Sequence, residues 1–219
     1  MSRIVLIGGH GKVALRLARV LAGAGEEVTS VIRNPGQSDD VAATGATPEV
    51  LDVERADVDR LAALLAGQDA VVWSAGAGGG NPERTYAVDR DAAIRSMDAA
   101  RLAGVTRYVM VSYLGARKDH GVPADDPFFA YADAKAAADD HLRGTDLLWT
   151  VLGPGALTDE PGTGRIAVGP AAGATSRQTS RDNVAAVAAA VLLRPGTVGR
   201  TIEFTDGPAP IDQALETLP

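Results

Sequence analysis

Three side chains in the second half of the chain could together move a proton. Tyr131 and Lys135 are four residues apart in a predicted helix, so both lie on one face. A neighbouring ammonium favours a phenolate and lowers the tyrosine pKa from about 10, which suits proton transfer to a substrate oxygen. Ser112 ends a predicted strand and could hydrogen-bond the same oxygen. The alternative is a tyrosine packed on the core beside a solvated lysine.

A glycine-rich turn near the N-terminus could bind phosphate. The predicted strand Ile4–Ile7 runs directly into Gly8, Gly9, His10 and Gly11, and a helix opens at Lys12 and Val13. Such a turn brings backbone N–H groups close to a pyrophosphate, and the helix N-terminus adds partial positive charge. His10 could touch a phosphate, although a solvent-facing loop residue is the preferred interpretation. A structural turn without a ligand is the alternative for the whole loop.

The end of the second predicted strand indicates which dinucleotide would bind. An acid at this position accepts hydrogen bonds from the ribose 2′-hydroxyl of NAD, whereas an arginine accommodates the 2′-phosphate of NADP. Arg33 and Asn34 occupy the position, and no carboxylate follows until Asp39. We therefore expect NADP(H) to be preferred, with NAD possible. After the third strand, Asp52, followed by Val53, could bind the adenine amino group or cap the next helix.

Alternating strands and helices must position these residues. Short apolar runs alternate with longer helical patterns, which is typical of βαβ units. The pattern predicts an α/β fold, a doubly wound parallel sheet of the Rossmann type, in which ligands bind beyond the carboxyl ends of strands. We expect residues 1–219 to form one domain. The pattern loosens after Leu157, and about 157–219 is predicted to form a small lobe on the substrate side.

Composition excludes several classes of function. Hydrophobic residues make up 46% of the 219 residues, which indicates a packed core rather than disorder. The net charge of −7, with no dense basic stretch, argues against nucleic acid and anionic membranes as partners. No cysteine is present, which excludes disulfides, thiolate catalysis and cysteine metal sites, and no metal is predicted. We expect a cytoplasmic protein, since no apolar window of about 18 residues occurs.

Taken together, these motifs resemble the atypical short-chain dehydrogenase/reductases, in particular their small NAD(P)H-binding branch. That branch is similar to flavin and biliverdin reductases and to NmrA-like redox sensors. The motifs that carry the resemblance are Gly8–Ala14, Val31–Arg33, Val71–Gly76, Val109–Ser112, Tyr131–Lys135, Trp149–Gly155, Asp159–Gly164 and Ser180–Ala185.

The resemblance implies roles for particular residues. Tyr131 would be the proton donor, Lys135 would bind the nicotinamide ribose and lower the tyrosine pKa, and Ser112 would orient the acceptor. Ala75, Gly76 and Pro154 would line the cofactor site.

The chain departs from the family pattern at three places. Gly153 stands where the family usually has arginine, and Tyr113 where a second serine is common. The loop carries glycine and His10 where small hydroxyl residues are frequent. These departures leave cofactor binding intact and affect the substrate.

Three functions compete. The first is an NADPH-dependent reductase of a small carbonyl, quinone or flavin-like acceptor. The second is a sensor in which NADP(H) changes a partner interface. The third is an epimerase or dehydratase acting on a nucleotide-linked sugar, for which 219 residues leave little room. The tyrosine, lysine and serine favour the first. The partner is then a small-molecule substrate, and the oligomeric state stays open.

Overall fold

A mostly parallel sheet forms the centre of the molecule in the computed structural model, which describes residues 1–78, 80–169, 172 and 176–218. Within these residues the sheet has nine strands in the order β11-β8-β10-β6-β5-β4-β1-β2-β3. The strands are β1 (Arg3–Ile7), β2 (Glu27–Ile32), β3 (Thr47–Val50), β4 (Ala70–Trp73), β5 (Arg107–Val111), β6 (Leu148–Pro154), β8 (Arg165–Val168), β10 (Arg200–Asp206) and β11 (Ala209–Pro210). The stretch β3-β2-β1-β4-β5-β6 is the doubly wound order, so the predicted fold class is confirmed.

Helices cover both faces of this sheet. They are α1 (Lys12–Gly23), α2 (Ser38–Ala42), α3 (Val58–Leu65), α4 (Pro82–Thr85), α5 (Ala93–Leu102), α6 (Phe129–Arg143), α7 (Arg181–Leu192) and α8 (Ile211–Glu216). Successive strand residues point to opposite faces. Ile4 and Leu6 of β1 therefore pack with α1 and α7, whereas Val5 and Ile7 pack with α3 and α5. The almost wholly apolar strands follow from this two-sided burial.

The residues beyond Leu157 add three strands to the central sheet. The strand β10 pairs parallel to β6, and β8 and β11 extend the same sheet with antiparallel pairing. The short strands β7 (Ala156–Thr158) and β9 (Gln178–Ser180) form a separate parallel pair. The sequence does not predict these short strands, because glycine and proline mark turns without indicating which segments pair.

A π-helical segment links α4 to α5. It spans Tyr86–Ala92 and buries Val88, Asp89 and Ala92. Asn81 caps the start of α4 by accepting a hydrogen bond from the Arg84 N–H at 3.0 Å. Single π turns inside helices are frequent at functional sites because they redirect side chains. Here the segment carries the buried Asp89.

Candidate functional site

The glycine loop passes through a narrow space between the second and fourth strands. Gly8 has φ +88°, and a Cβ there would lie 2.6 Å from the Ala75 backbone. A Cβ on Gly9 would lie 2.6 Å from the Cβ of Ser30. Glycine is therefore required at both positions for the backbone to fold at all. Gly11 has more room, since its Cβ would lie 3.1 Å from the Gly8 carbonyl oxygen.

The N-terminus of α1 offers free backbone N–H groups beside this loop. Gly11 is the N-cap without a side-chain hydrogen bond, and the first turn carries no acidic residue. Val13 is buried in the core. The side chains of Lys12 and His10 are held at the surface by acids: Lys12 Nζ lies 2.6 Å from Asp159 Oδ2, and His10 Nε2 lies 2.8 Å from Asp40 Oδ2. Lys12 and Val13 can thus serve a phosphate through their backbone.

A groove of about 420 Å³ lies over the carboxyl ends of β1, β2, β3 and β4. It brings together eight of the residues predicted to bind a cofactor, namely Gly8, His10, Gly11, Arg33, Asp52, Val53, Ala75 and Gly76. Gly9, Lys12 and Val13 lie beside the groove and do not line it. Lys135 lies on α6 and Pro154 ends β6, further along the sheet. The groove therefore connects the glycine loop, which could bind the phosphates, to Arg33, which is expected to read the ribose.

Asp52 shapes the loop after β3 and does not cap the next helix. Its Oδ1 accepts a hydrogen bond from the Glu54 N–H at 3.2 Å. The cap of α3 is Asp57, whose Oδ1 accepts from the Arg60 N–H at 2.8 Å. The capping alternative for Asp52 is therefore wrong, because the chain needs five more residues to reach the helix. Asp52 remains on the groove, where a ligand could reach it.

A cluster of buried ionisable side chains lies beneath the ends of β4 and β5. Lys135 is 1% exposed, and its Nζ donates to the Val111 carbonyl oxygen at 2.8 Å. Asp89 and Asp139 are equally buried, at 1% and 0% exposed. Burial raises the pKa of both carboxyl groups, and the lysine charge opposes that rise. Burial also lowers the Lys135 pKa, against the pull of the two carboxylates.

Both carboxyl groups are anchored through one oxygen only. Asp89 Oδ2 accepts from the Ala77 N–H at 2.9 Å, and Asp139 Oδ2 accepts from the Ser112 hydroxyl at 2.5 Å. Their Oδ1 atoms are buried and have no hydrogen-bond partner among the described residues. An ionised carboxylate prefers several hydrogen-bond donors, and each of these has one. The positive charge of Lys135 therefore supplies most of the remaining compensation for burying the two negative charges.

The environment of Tyr131 differs from the sequence prediction. Burial raises its pKa, and the charges of Asp89 and Asp139 raise it further. The prediction that Lys135 lowers the tyrosine pKa is therefore wrong for this chain. Its physical basis was a lone ammonium, whereas two carboxylates here neutralise that charge. The phenol stays protonated at neutral pH.

A second cavity, of about 650 Å³, opens at the ends of β5 and β6. Ser112, Tyr131 and Pro154 line it, and Lys135 does not. The rings of Tyr113, Phe128 and Tyr131 pack on one another with centroids 5.3–5.6 Å apart. The rest of its described lining is Leu114, Gly155, Ala156, Leu157, Ala172 and Arg177. This cavity suits a flat, largely apolar molecule better than a highly hydroxylated one.

The unusual Gly153 is explained by its neighbour across the sheet. Gly153 pairs with Glu203 of β10, and a Cβ at Gly153 would lie 3.2 Å from the Glu203 Cγ. Glu203 in turn accepts a hydrogen bond from the Gly115 N–H at 2.8 Å. Glutamate therefore occupies the space above this position and orders the turn that follows Tyr113.

The motifs Asp159–Gly164 and Ser180–Ala185 hold the C-terminal part against α1. Asn183 Oδ1 accepts from the Gly164 N–H at 2.9 Å, and Asp182 Oδ2 accepts from the Gly162 N–H at 3.0 Å. Asp182 also accepts from Arg16 of α1 at 2.6 Å. These contacts give both motifs a structural role, because they join the segment around Gly162 and Gly164 to α7 and to α1.

Sequence reasoning missed four polar residues that this geometry brings to the site. Asp139 could have been found, since it stands four residues after Lys135 and shares its helix face. Asp89 gave no signal, because a lone acid in a helical pattern is normally solvated. Glu54 lines the groove from the loop after β3 and Arg84 from the short helix α4, and the sequence pattern did not reveal either position.

Two further features limit the chemistry of the described residues. No group of three or more histidine, aspartate and glutamate side chains among them is arranged to hold a metal ion. None of their helices has the length and apolar character needed to cross a membrane.

Comparisons with known proteins agree with this geometry. A Bacillus subtilis protein named as an uncharacterized sugar epimerase, YhfK, is 32% identical over 99% of this chain and 100% of its own length. A Bacillus halodurans structure provisionally named an NAD-dependent epimerase/dehydratase superposes with a TM-score of 0.91 at 31% identity, covering 100% of both chains. The Lactococcus lactis oxidoreductase ylbE superposes with a TM-score of 0.87 at 27% identity, covering 99% of this chain and 96% of its own.

A family model described as NAD(P)H-binding matches residues 8–195, a span that starts in the glycine loop and ends beyond α7. The chain therefore belongs to the NAD(P)H-binding family.

Proposed function

We propose that the chain is an NADPH-dependent reductase of the short-chain dehydrogenase/reductase type, acting on a small carbonyl, quinone or flavin-like acceptor. The observation that carries the proposal is the pair of cavities along one edge of the sheet. The groove ends at Ala75 and Gly76, and the aromatic cavity begins at Ser112 and Tyr131. An open parallel sheet binds its ligands at this edge.

The residues of the groove fit a nicotinamide dinucleotide. Side chains at Gly8 and Gly9 would collide with neighbouring backbone or side-chain atoms. Because both positions are glycine, no side chain shields the loop backbone from a ligand. The uncapped start of α1 would hold the pyrophosphate, and Arg33 would grip a 2′-phosphate. When bound, the cofactor supplies a hydride to the acceptor.

The residues around the aromatic cavity would handle the acceptor and its proton. Tyr131 carries its proton at neutral pH, so it acts as the donor to the acceptor oxygen. Ser112 donates its hydroxyl proton to Asp139, so it can offer the ligand only lone pairs, which accept from a ligand hydroxyl, and no proton for the acceptor oxygen. Lys135 is a positioning residue: it ties α6 to the end of β5 and compensates the buried carboxylates. The rings of Tyr113 and Phe128 would pack against a flat acceptor.

A second candidate is an epimerase of nucleotide-linked sugars, which the names of YhfK and the Bacillus halodurans protein favour. A sugar needs many hydrogen-bond partners, because each unpaired hydroxyl costs binding energy. The aromatic cavity offers the polar side chains of Ser112, Tyr113, Tyr131 and Arg177, and the other side chains of its described lining are apolar. This lining favours a reductase.

The test is NADPH oxidation followed at 340 nm with a panel of quinones, flavins and aromatic carbonyls. UDP-sugars with NAD form a parallel arm that detects epimerisation. Tyr131→Phe is compared with Tyr86→Phe, which removes a phenol outside both cavities. We expect NADPH turnover that Tyr131→Phe slows and Tyr86→Phe spares. Binding of NADPH without turnover of any acceptor would contradict the proposal and favour a sensor.

A further inference from the structure

The adenosine end of the groove contains a carboxylate held between two arginines. Glu54 Oε2 lies 3.2 Å from Arg84 Nε and 3.7 Å from Arg33 Nη1. All three residues line the groove. The side chain of Arg33 is 57% exposed, whereas those of Arg84 and Glu54 are 34% and 28% exposed. The more buried ion pair, between Arg84 and Glu54, therefore has the shorter distance. Arg33 is more exposed and can turn toward a ligand.

The position of Glu54 is fixed by its backbone. Arg95 donates to the carbonyl oxygen of Glu54 at 2.9 Å and to those of Val53 and Ala56 at 3.3 and 3.2 Å. Asp52 accepts from the Glu54 N–H. Four hydrogen bonds therefore hold the loop that presents the carboxylate.

Arg84 is fixed from the opposite side of the groove. Its guanidinium also donates to the Ala77 carbonyl oxygen, and its backbone N–H is bound by the Asn81 cap. It therefore reaches Glu54 from a site anchored at both ends of the side chain.

The charges have a direct consequence for cofactor choice. A carboxylate beside Arg33 competes with a 2′-phosphate for the same guanidinium and repels the phosphate itself. Because Arg84 also pairs with Glu54, its positive charge weakens both the competition for Arg33 and the repulsion of the 2′-phosphate. The sequence shows no acid at the end of β2, yet the fold supplies one from the loop after β3.

We propose that Glu54 and Arg84 set the cofactor selectivity of the groove: Glu54 restrains Arg33 and disfavours the 2′-phosphate, and Arg84 limits this effect by neutralising Glu54. The inference rests on the proposed role of Arg33. It makes Glu54 and Arg84 an opposed pair of specificity-determining residues, neither of which has to touch the nicotinamide.

The experiment is titration calorimetry of NADP⁺ and NAD⁺ at low ionic strength, where exposed charges are least screened. Glu54→Gln should tighten NADP⁺ binding about two- to fivefold, the range of an exposed ion pair, and leave NAD⁺ nearly unchanged. Arg84→Gln should weaken NADP⁺ binding by a similar factor. In the Glu54→Gln background, Arg84→Gln should have a smaller effect, because its partner is gone.

A matched control is Glu49→Gln, which changes the net charge equally at a carboxylate paired with Arg60 outside the groove. It should leave the ratio of the two affinities unchanged. The proposal is overturned if Glu54→Gln tightens neither cofactor, tightens both equally, or matches Glu49→Gln. Arg33→Ala distinguishes a failure of this inference from a failure of the proposed role of Arg33. If Arg33→Ala leaves the NADP⁺ affinity intact, Arg33 does not bind the 2′-phosphate, and both proposals are wrong. If it weakens NADP⁺ while Glu54→Gln does nothing, only the present inference fails.

Discussion

Replacing Lys135 with methionine tests the buried charge cluster in depth. Methionine keeps the length and apolar stem of lysine but removes the ammonium. Asp89 and Asp139 would then be left 1% and 0% exposed without their buried cation. Removing one partner of a close buried ion pair costs about 3–5 kcal/mol, which is the upper limit here because Lys135 acts on the two carboxylates through its charge at longer range. For a chain of this length, that free energy corresponds to a fall in Tm of about 6–20 °C.

The pH dependence of this loss has a definite sign. Burial raises the pKa values of Asp89 and Asp139 above those in the unfolded chain. A group with a raised pKa binds a proton more readily when folded, so its contribution to stability is present at low pH and is lost as pH rises. Without Lys135 this dependence becomes stronger. The gap in Tm between Lys135→Met and the wild type should therefore narrow as pH falls from about 8 to about 5.

Thermal melts across this pH range provide the assay. Lys118→Met is the matched control, since Lys118 is 73% exposed and pairs with Asp140 at the surface. It should change the free energy of unfolding by no more than about 0.5 kcal/mol. Adding Asp139→Asn to Lys135→Met should recover part of the stability, because it removes one orphaned carboxylate. A Lys135→Met melt within a degree or two of the wild type at every pH would refute this reasoning.

Three further predictions concern the cofactor and the proton. Arg33→Ala should weaken NADPH binding about tenfold or more and spare NADH, since a charge-assisted contact contributes about 1.5–3 kcal/mol; calorimetry that shows equal affinities in the wild type would contradict this. Gly11→Val should abolish cofactor binding with a near-normal melt, and retained affinity would make the loop only a turn. Tyr131→Phe should lower kcat about 10²–10⁴-fold with NADPH affinity nearly intact. Because burial raises the Tyr131 pKa, the wild-type rate should not fall between about pH 7 and 9; such a fall assigned to Tyr131 would count against its protonated role.

The glycine loop and the alternation of strands and helices could be predicted from the sequence because they depend on local chemistry. Gly8 follows a buried strand and precedes an amphipathic helix, and that context defines the turn. The alternation of apolar runs likewise predicts a doubly wound sheet, and the helix predicted to carry Tyr131 and Lys135 is α6. These features require no knowledge of which distant residues meet.

The rest depended on contacts between residues far apart in the chain. The charges of Asp89 and Asp139 act on Lys135 because the π-helical segment and α6 pack side by side. Glu54 reaches Arg33 through a loop that Arg95 holds from another helix. A motif gives the position of a lysine, but its effect on a neighbouring tyrosine depends on charges that the motif does not contain. The erroneous prediction for the Tyr131 pKa arose in this way.

The central claim is that NADPH bound in the groove reduces a molecule held in the aromatic cavity. The most direct measurement is NADPH oxidation at 340 nm by purified protein with an aromatic carbonyl or quinone, with the reduced product quantified by mass spectrometry. The account predicts one equivalent of reduced product for each NADPH consumed, and loss of this activity in Tyr131→Phe but not in Tyr86→Phe. Tight NADPH binding with no product from any acceptor in the panel would contradict it.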